Sequence, residues 1–162
     1  MTDKPSTKVE PTPKGYEGAT PYLIIKGAAK ALDFYKKGFG AIEEMRVPGP
    51  AGKVGHAEIK IGGARIMLAD EFPEMGAKSP QTIGGTPVSI MIYVEDVDSF
   101  TRQAITAGAK VLQAVENKFY GDRTGCLEDP FGHQWHFSTH VEDVPPDEMT
   151  KRAEAFMKQQ GR

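Results

Sequence analysis

The chain is poor in cysteine, has no long apolar run and carries no excess of charge. Cys126 is the single cysteine in 162 residues, so no disulfide can form within one chain, which suits a reducing compartment. Its side chain reads as a small buried apolar group rather than a reactive thiol. No stretch approaches the roughly 18 apolar residues of a membrane span. Residues 1–15 lack the apolar segment of a secretory signal. The expected location is therefore the cytoplasm, with no membrane partner. Lys and Arg number 20 against 22 Asp and Glu, a formal net charge of −2. No global field draws in a polyanion, so no nucleic-acid partner is expected.

What is present is ordinary globular composition and a repeated pattern. The length fits one domain or two small fused halves, and can bury a core without staples. Residues 1–18, rich in Pro, Lys and Thr, read as a flexible tail. Residues 20–25 read as a strand, and Ala28, Ala31, Leu32, Phe34 and Tyr35 as a helix stopped at Gly38 and Gly40. Strands follow over residues 42–47, 54–61 and 64–69, with Gly62-Gly63 as the last turn. A long loop occupies residues 71–85. The order then returns: a strand over 87–94, a helix over 97–107 capped by Asp96 and ended by Gly108, a strand over 110–115, an irregular then extended stretch over 119–128, and a strand over 133–139. Thr20-Pro21 and Thr86-Pro87 open the halves, and Gly40-Ala41 and Gly108-Ala109 close their helices, giving an internal repeat of about 68 residues. The reading is α+β: two βαβββ modules over residues 19–70 and 86–140. A C-terminal helix follows within residues 141–162, with Pro146 near its start and an apolar stripe of Met149, Ala153, Phe156 and Met157.

That repeat, with Ala31-Leu32-Asp33-Phe34-Tyr35 in the first helix and Asp129-Pro130-Phe131-Gly132-His133 before the last strand, resembles the vicinal-oxygen-chelate superfamily. This is the group of glyoxalases, bleomycin-resistance proteins and extradiol dioxygenases. Gly55-His56-Ala57-Glu58, the run from Met67 to Pro73, Gly121-Asp122-Arg123 and the stretch from Asp129 to Trp135 with Thr139-His140 look like its PhnB-like branch. The resemblance spans residues 19–140. It implies a U-shaped cup of strands around a small-molecule site, often completed by a homodimer. It does not imply a reaction. Lyase, isomerase or dioxygenase chemistry and drug sequestration all remain open.

Metal-using members carry ligands on the first and fourth strands of each module. Strand alternation places Leu23 and Ile25 toward the helix and Tyr22 toward the cup. By the same rule the four ligand positions fall on Thr20, Met67, Ser89 and His136. Only His136 is a good ligand for a divalent metal, so by this alignment the chain departs from the metal-using pattern, and neither the usual metal centre nor a cofactor is expected. An alternative set exists. His56 and Glu58 lie two apart on one strand and share a face, and with His136 they make a competent ligand set for zinc, manganese or iron. They are also the candidate catalytic groups, Glu58 as a general base. The competing reading pairs His56 and Glu58 with each other or with Arg65 across the hairpin.

The expected ligand-binding set is Tyr22, Met67, Ser89, Met91 and Tyr93 along the cup, with Tyr120, Asp122 and Arg123 from the glycine-flanked segment. Arg123 suits a carboxylate or phosphate; its structural alternative is an Asp–Arg cluster at the strand entrance. Trp135 and Phe137 are expected in the core. His133 reads as a turn residue, and His140 as a strand end that caps or meets the C-terminal helix.

Overall fold

A computed structural model describes residues 9–161, so residues 1–8 of the expected tail lie outside the described residues. Module 1 comprises β1 (Tyr22–Ile25), α1 (Ala28–Phe39), β2 (Ile42–Pro48), β3 (Val54–Ile61) and β4 (Ala64–Asp70). Its sheet runs β1-β4-β3-β2, with β1 parallel to β4 and the other pairs antiparallel. Module 2 follows a short α2 (Pro80–Ile83). It comprises β5 (Ser89–Tyr93), α3 (Val97–Ala107), β6 (Lys110–Asn117), β7 (Asp122–Glu128) and β8 (Gln134–His140) in the matching order β5-β8-β7-β6. A last helix, α4, covers Pro146–Gln159. No helix among the described residues is long and apolar enough to cross a membrane.

The helix ends follow from local chemistry. Gly27 sits at φ 92° before α1, and the backbone N–H groups of Gly27 and Ala28 donate to Asp70 Oδ1 at 3.0 and 2.9 Å. The other Asp70 oxygen accepts from Val54 N–H at 2.7 Å. One buried carboxylate thus ties the start of α1, the start of β3 and the end of β4. At α3, Asp96 accepts from Ser99 N–H at 3.0 Å, the cap the sequence indicates.

The segment read as a long loop is built rather than irregular. Phe72 and Ala77 form a bridge around a 3₁₀ turn at Pro73–Met75, and Ser79 caps α2. Glu71, only 7% exposed, accepts from Ser79 N–H and the Thr82 hydroxyl at 3.0 and 2.7 Å. A buried acceptor therefore satisfies backbone that a free loop would leave to water.

The two modules share one core. Leu23, Ile25, Ile59, Ile66 and Leu68 of sheet 1 join Leu127, Trp135 and Phe137 of sheet 2 around α1 and α3 in a single apolar cluster. Tyr35 of α1 lies edge-on to Trp135 of β8 at 5.6 Å between ring centroids, and Phe39 reaches both Trp135 and Phe137. Asp129, in the turn before β8, accepts from Tyr35 Oη at 2.6 Å and Trp135 Nε1 at 2.9 Å. The back faces of β1, β3, β4 and β8, with Ile92 of β5 and Leu127 of β7, are spent on this core, while the outer strands β2 and β6 stay largely exposed. The front faces of both sheets point away from it.

Candidate functional site: the two front faces

Alternation decides which side chains reach a front face, and the expected register holds in both modules. On β1 and β4, Leu23, Ile25, Ile66 and Leu68 are buried against the helices, which leaves Tyr22 and Met67 in front. On β8, Trp135 and Phe137 are fully buried, which leaves His136 in front. The registers set Tyr22, Met67 and Glu58 side by side across three strands of sheet 1. They set Met91, His136 and Cys126 side by side across sheet 2.

The front of sheet 1 is a polar cluster beside an aromatic ring. Tyr22 Oη lies 2.9 Å from His56 Nδ1, and His56 Nε2 lies 3.3 Å from Glu58 Oε1. Arg65 Nη1 donates to Glu58 Oε2 at 2.7 Å and also pairs with Glu44. A residue that pattern reading leaves in a flexible tail completes the cluster: Tyr16 donates its hydroxyl to Glu58 Oε2 at 2.5 Å. That hydrogen bond, with those from His56 and Arg65, holds the Glu58 carboxyl below the usual carboxylate range despite its burial. The same bond holds the Tyr16 phenol above its ordinary value. Both limbs of the competing reading are realised here, since Glu58 pairs with His56 and with Arg65. Glu58 is thus fully engaged as an acceptor, which does not suit a free general base.

The front of sheet 2 carries a second network. Tyr93 Oη donates to Asp122 Oδ2 at 2.5 Å, and His140 Nδ1 lies 2.7 Å from Asp122 Oδ1. Burial pushes Asp122 up, but the hydrogen bonds from Tyr93 and His140 outweigh it and leave the carboxyl below its usual value. Hydrogen bonds to Asp122 and Asp143 raise His140 above the ordinary imidazole value. Thr124 and Ser138 share a buried hydrogen bond of 2.6 Å beneath Met91. Cys126 is buried, as expected, and burial pushes its thiol up.

Two expected ligand contacts lie elsewhere. Arg123 is on the back of β7, where Nε and Nη2 grip Asp98 of α3 at 2.7 and 2.8 Å. The reason is alternation: Asp122 and Arg123 are neighbours on one strand and must face opposite ways. The Asp–Arg cluster is the arrangement found. Tyr120 sits in the turn before β7 against Phe119, whose ring also meets Phe156 of α4. Ser89 is exposed at the start of β5 and borders a cavity of about 600 Å3 between the free edges of β1 and β5. That cavity also touches Tyr22 and His133 but neither Met67 nor His136.

The residues do not fit a metal within one chain. Thr20, Met67, Ser89 and His136, the positions where the resemblance leads one to expect metal ligands, hold a hydroxyl, a thioether, a second hydroxyl and one imidazole. The alternative set is not assembled either, because His56 and Glu58 are on sheet 1 and His136 is on sheet 2. No group of three or more His, Cys, Asp or Glu side chains with ligand geometry occurs among the described residues.

Paired βαβββ modules with polar and aromatic front faces define a vicinal-oxygen-chelate protein. Residues 19–137 match the Glyoxalase/Bleomycin resistance protein/Dioxygenase superfamily, and the chain belongs to that family. It is 46% identical over 145 residues to an uncharacterised protein of Mycobacterium bovis, covering 88% of this chain and 93% of that one. Among solved structures it resembles TioX from Micromonospora sp. ML1 at 23% identity and a TM-score of 0.62, over 80% of this chain and 100% of that one. It also resembles the fosfomycin resistance protein FosX from Listeria monocytogenes, in a variant complexed with Mn(II) and 1S,2S-dihydroxypropylphosphonic acid. That match has 20% identity and a TM-score of 0.57, over 85% and 98% of the two chains. At these identities the structural matches speak for the fold alone.

Proposed function

We propose that this chain is a PhnB-like member of the family that binds a small organic molecule without the usual metal centre. The binding cup forms between the front face of sheet 1 in one copy and the front face of sheet 2 in a second copy. One observation carries the reading. Tyr22, Met91 and Tyr93 are 48%, 46% and 58% exposed on faces that also bear His56, Glu58 and His136, while Leu23, Ile25, Ile66 and Leu68 behind the first face and Trp135 and Phe137 behind the second are buried in one core. Exposed apolar side chains grouped with convergent polar groups are the make-up of a ligand cleft or an interface. Tyr22, Met67, Met91 and Tyr93 supply the apolar contact, and Ser89, Asp122 and His136 supply the polar contact. The hydroxyl and thioether groups at the family's ligand positions favour an organic ligand held by packing and hydrogen bonds. The reading places the protein in the cytoplasm as a homodimer with a small-molecule partner, and with neither nucleic acid nor membrane.

Light scattering on the full chain tests it. The expected mass is twice the chain mass of 17.7 kDa. A single-chain mass at all concentrations would leave each front face facing water and remove the cup.

A further inference from the structure

The front of sheet 1 contains a site already filled by the chain itself. Tyr16 lies across it with its hydroxyl on Glu58 Oε2 at 2.5 Å and its ring 4.3 Å from the Arg65 guanidinium. A buried carboxylate that accepts a phenol hydrogen and a guanidinium that stacks on the ring together recognise a hydroxylated aromatic ring. The Arg65 Nε atom beside them is buried and makes no hydrogen bond among the described residues. The guanidinium is therefore held here with part of its donor capacity unspent, a costly state for a merely structural cation.

The segment bearing Tyr16 is otherwise loosely tied. Its remaining hydrogen bonds are local: Tyr16 N–H to Pro13 O at 3.1 Å, and Gly15 N–H to Glu17 Oε2 at 3.0 Å. Residues 9–15 are exposed throughout, and so are residues 17–19. Tyr16 is the side chain that fastens this strap to the sheet. Beside it, Gly15, Glu17, Ala19 and Arg65 border a cavity of about 510 Å3 that reaches the Arg65 side of the seat.

We propose that Glu58 and Arg65 form a seat for a phenolic ring, and that Tyr16 occupies this seat as a tethered internal ligand which a small phenol displaces. The inference rests on the reading that the front faces bind small molecules, and it narrows the ligand of sheet 1 to a hydroxylated aromatic. Tyr16 is then a strap that keeps the buried Glu58 paired with the half-buried Arg65 when no ligand is present. A competitor must outbid a ring held at the high local concentration a short tether gives.

The probe is p-cresol, the Tyr side chain as a free molecule, followed by amide NMR shifts around Glu58, Arg65 and Met67 in the full chain. In Tyr16→Ala the seat is vacant, and p-cresol should bind saturably. In the native chain it should bind about tenfold more weakly, because the tethered ring competes. Toluene, which lacks the hydroxyl, should not bind Tyr16→Ala, and Tyr16→Phe should compete less well than the native residue. Equal p-cresol affinity in the native chain and Tyr16→Ala, no binding to either, or toluene binding as well as p-cresol would each overturn the proposal. The oligomeric state separates this result from the wider reading. A dimer that ignores p-cresol loses the phenol seat and keeps the cup. A monomer whose Tyr16→Ala form takes p-cresol keeps the seat and loses the cup.

Discussion

Replacing Asp129 by Ala should destabilise the protein by roughly 3–5 kcal/mol, among the largest effects open to a single substitution in this fold. Asp129 is 3% exposed and accepts four hydrogen bonds. Two come from the Phe131 and His133 backbone and shape the turn into β8. Of the other two, the bond from Tyr35 joins module 1 to module 2 across 94 residues of sequence, and the bond from Trp135 pins the turn to the start of β8 within module 2. Truncation leaves a phenol O–H and an indole N–H in a fully buried aromatic cluster with no water to replace the lost acceptor. Asp129→Asn keeps one carbonyl oxygen and should cost less. Denaturant unfolding of both variants checks the order. A loss under about 1 kcal/mol for the Ala variant would mean that water or a rearranged side chain reaches the two donors.

Gly121→Ala should cost roughly 2–4 kcal/mol and release the C-terminal segment. Gly121 has φ of 95°, a conformation that strains any L side chain. An added Cβ would lie 2.1 Å from Glu142 O and 3.0 Å from Val144 Cγ2. The Gly121 carbonyl also accepts from the Val141 and Glu142 N–H groups at 2.9 and 3.0 Å, so the chain leaving β8 is clamped on this residue. Arg152 of α4 reaches back to Glu142 and to the Phe119 carbonyl, and Phe156 packs on Phe119. Forcing residues 141–144 away therefore loosens α4. Limited proteolysis should cut the variant within residues 141–160 under conditions that spare the native chain. A native cleavage pattern together with a native melting temperature would show that the segment is not held here.

These two sites show where sequence reading succeeds and where it stops. Faces were legible. Period-2 alternation sorted Leu23 from Tyr22, Leu68 from Met67 and Phe137 from His136, because a core buried on one side allows one register. Helix ends at Asp96, Gly40 and Gly108 were legible for the same local reason. Long-range partners were not. Nothing near Asp129 in sequence announces Tyr35, and nothing near Asp70 or Glu71 announces the backbone groups they satisfy. The glycine-flanked segment looked like a loop that reaches a ligand, yet alternation inside β7 sends Asp122 to the front and Arg123 to α3. The front of sheet 1 was half legible: the His56–Glu58 spacing and the Arg65 pairing could be read across a hairpin. Tyr16 could not, since no periodicity marks a single side chain reaching out of a Pro- and Lys-rich segment. That the modules bury their backs together, leaving the front faces open, is likewise invisible to patterns read one strand at a time.

The central claim is that these open faces are closed by a second copy, and hydroxyl-radical footprinting of the intact chain tests it most directly. In a single chain Met91 is 46% exposed on the front of sheet 2, and Met75, on the 3₁₀ turn between the modules, is 81% exposed. Pairing of the front faces predicts that Met91 and Tyr93 are labelled far more slowly relative to Met75 than these exposures imply. Labelling of Met91, Tyr93 and Met75 in proportion to their single-chain exposures would contradict the cup and leave two open sheets in its place.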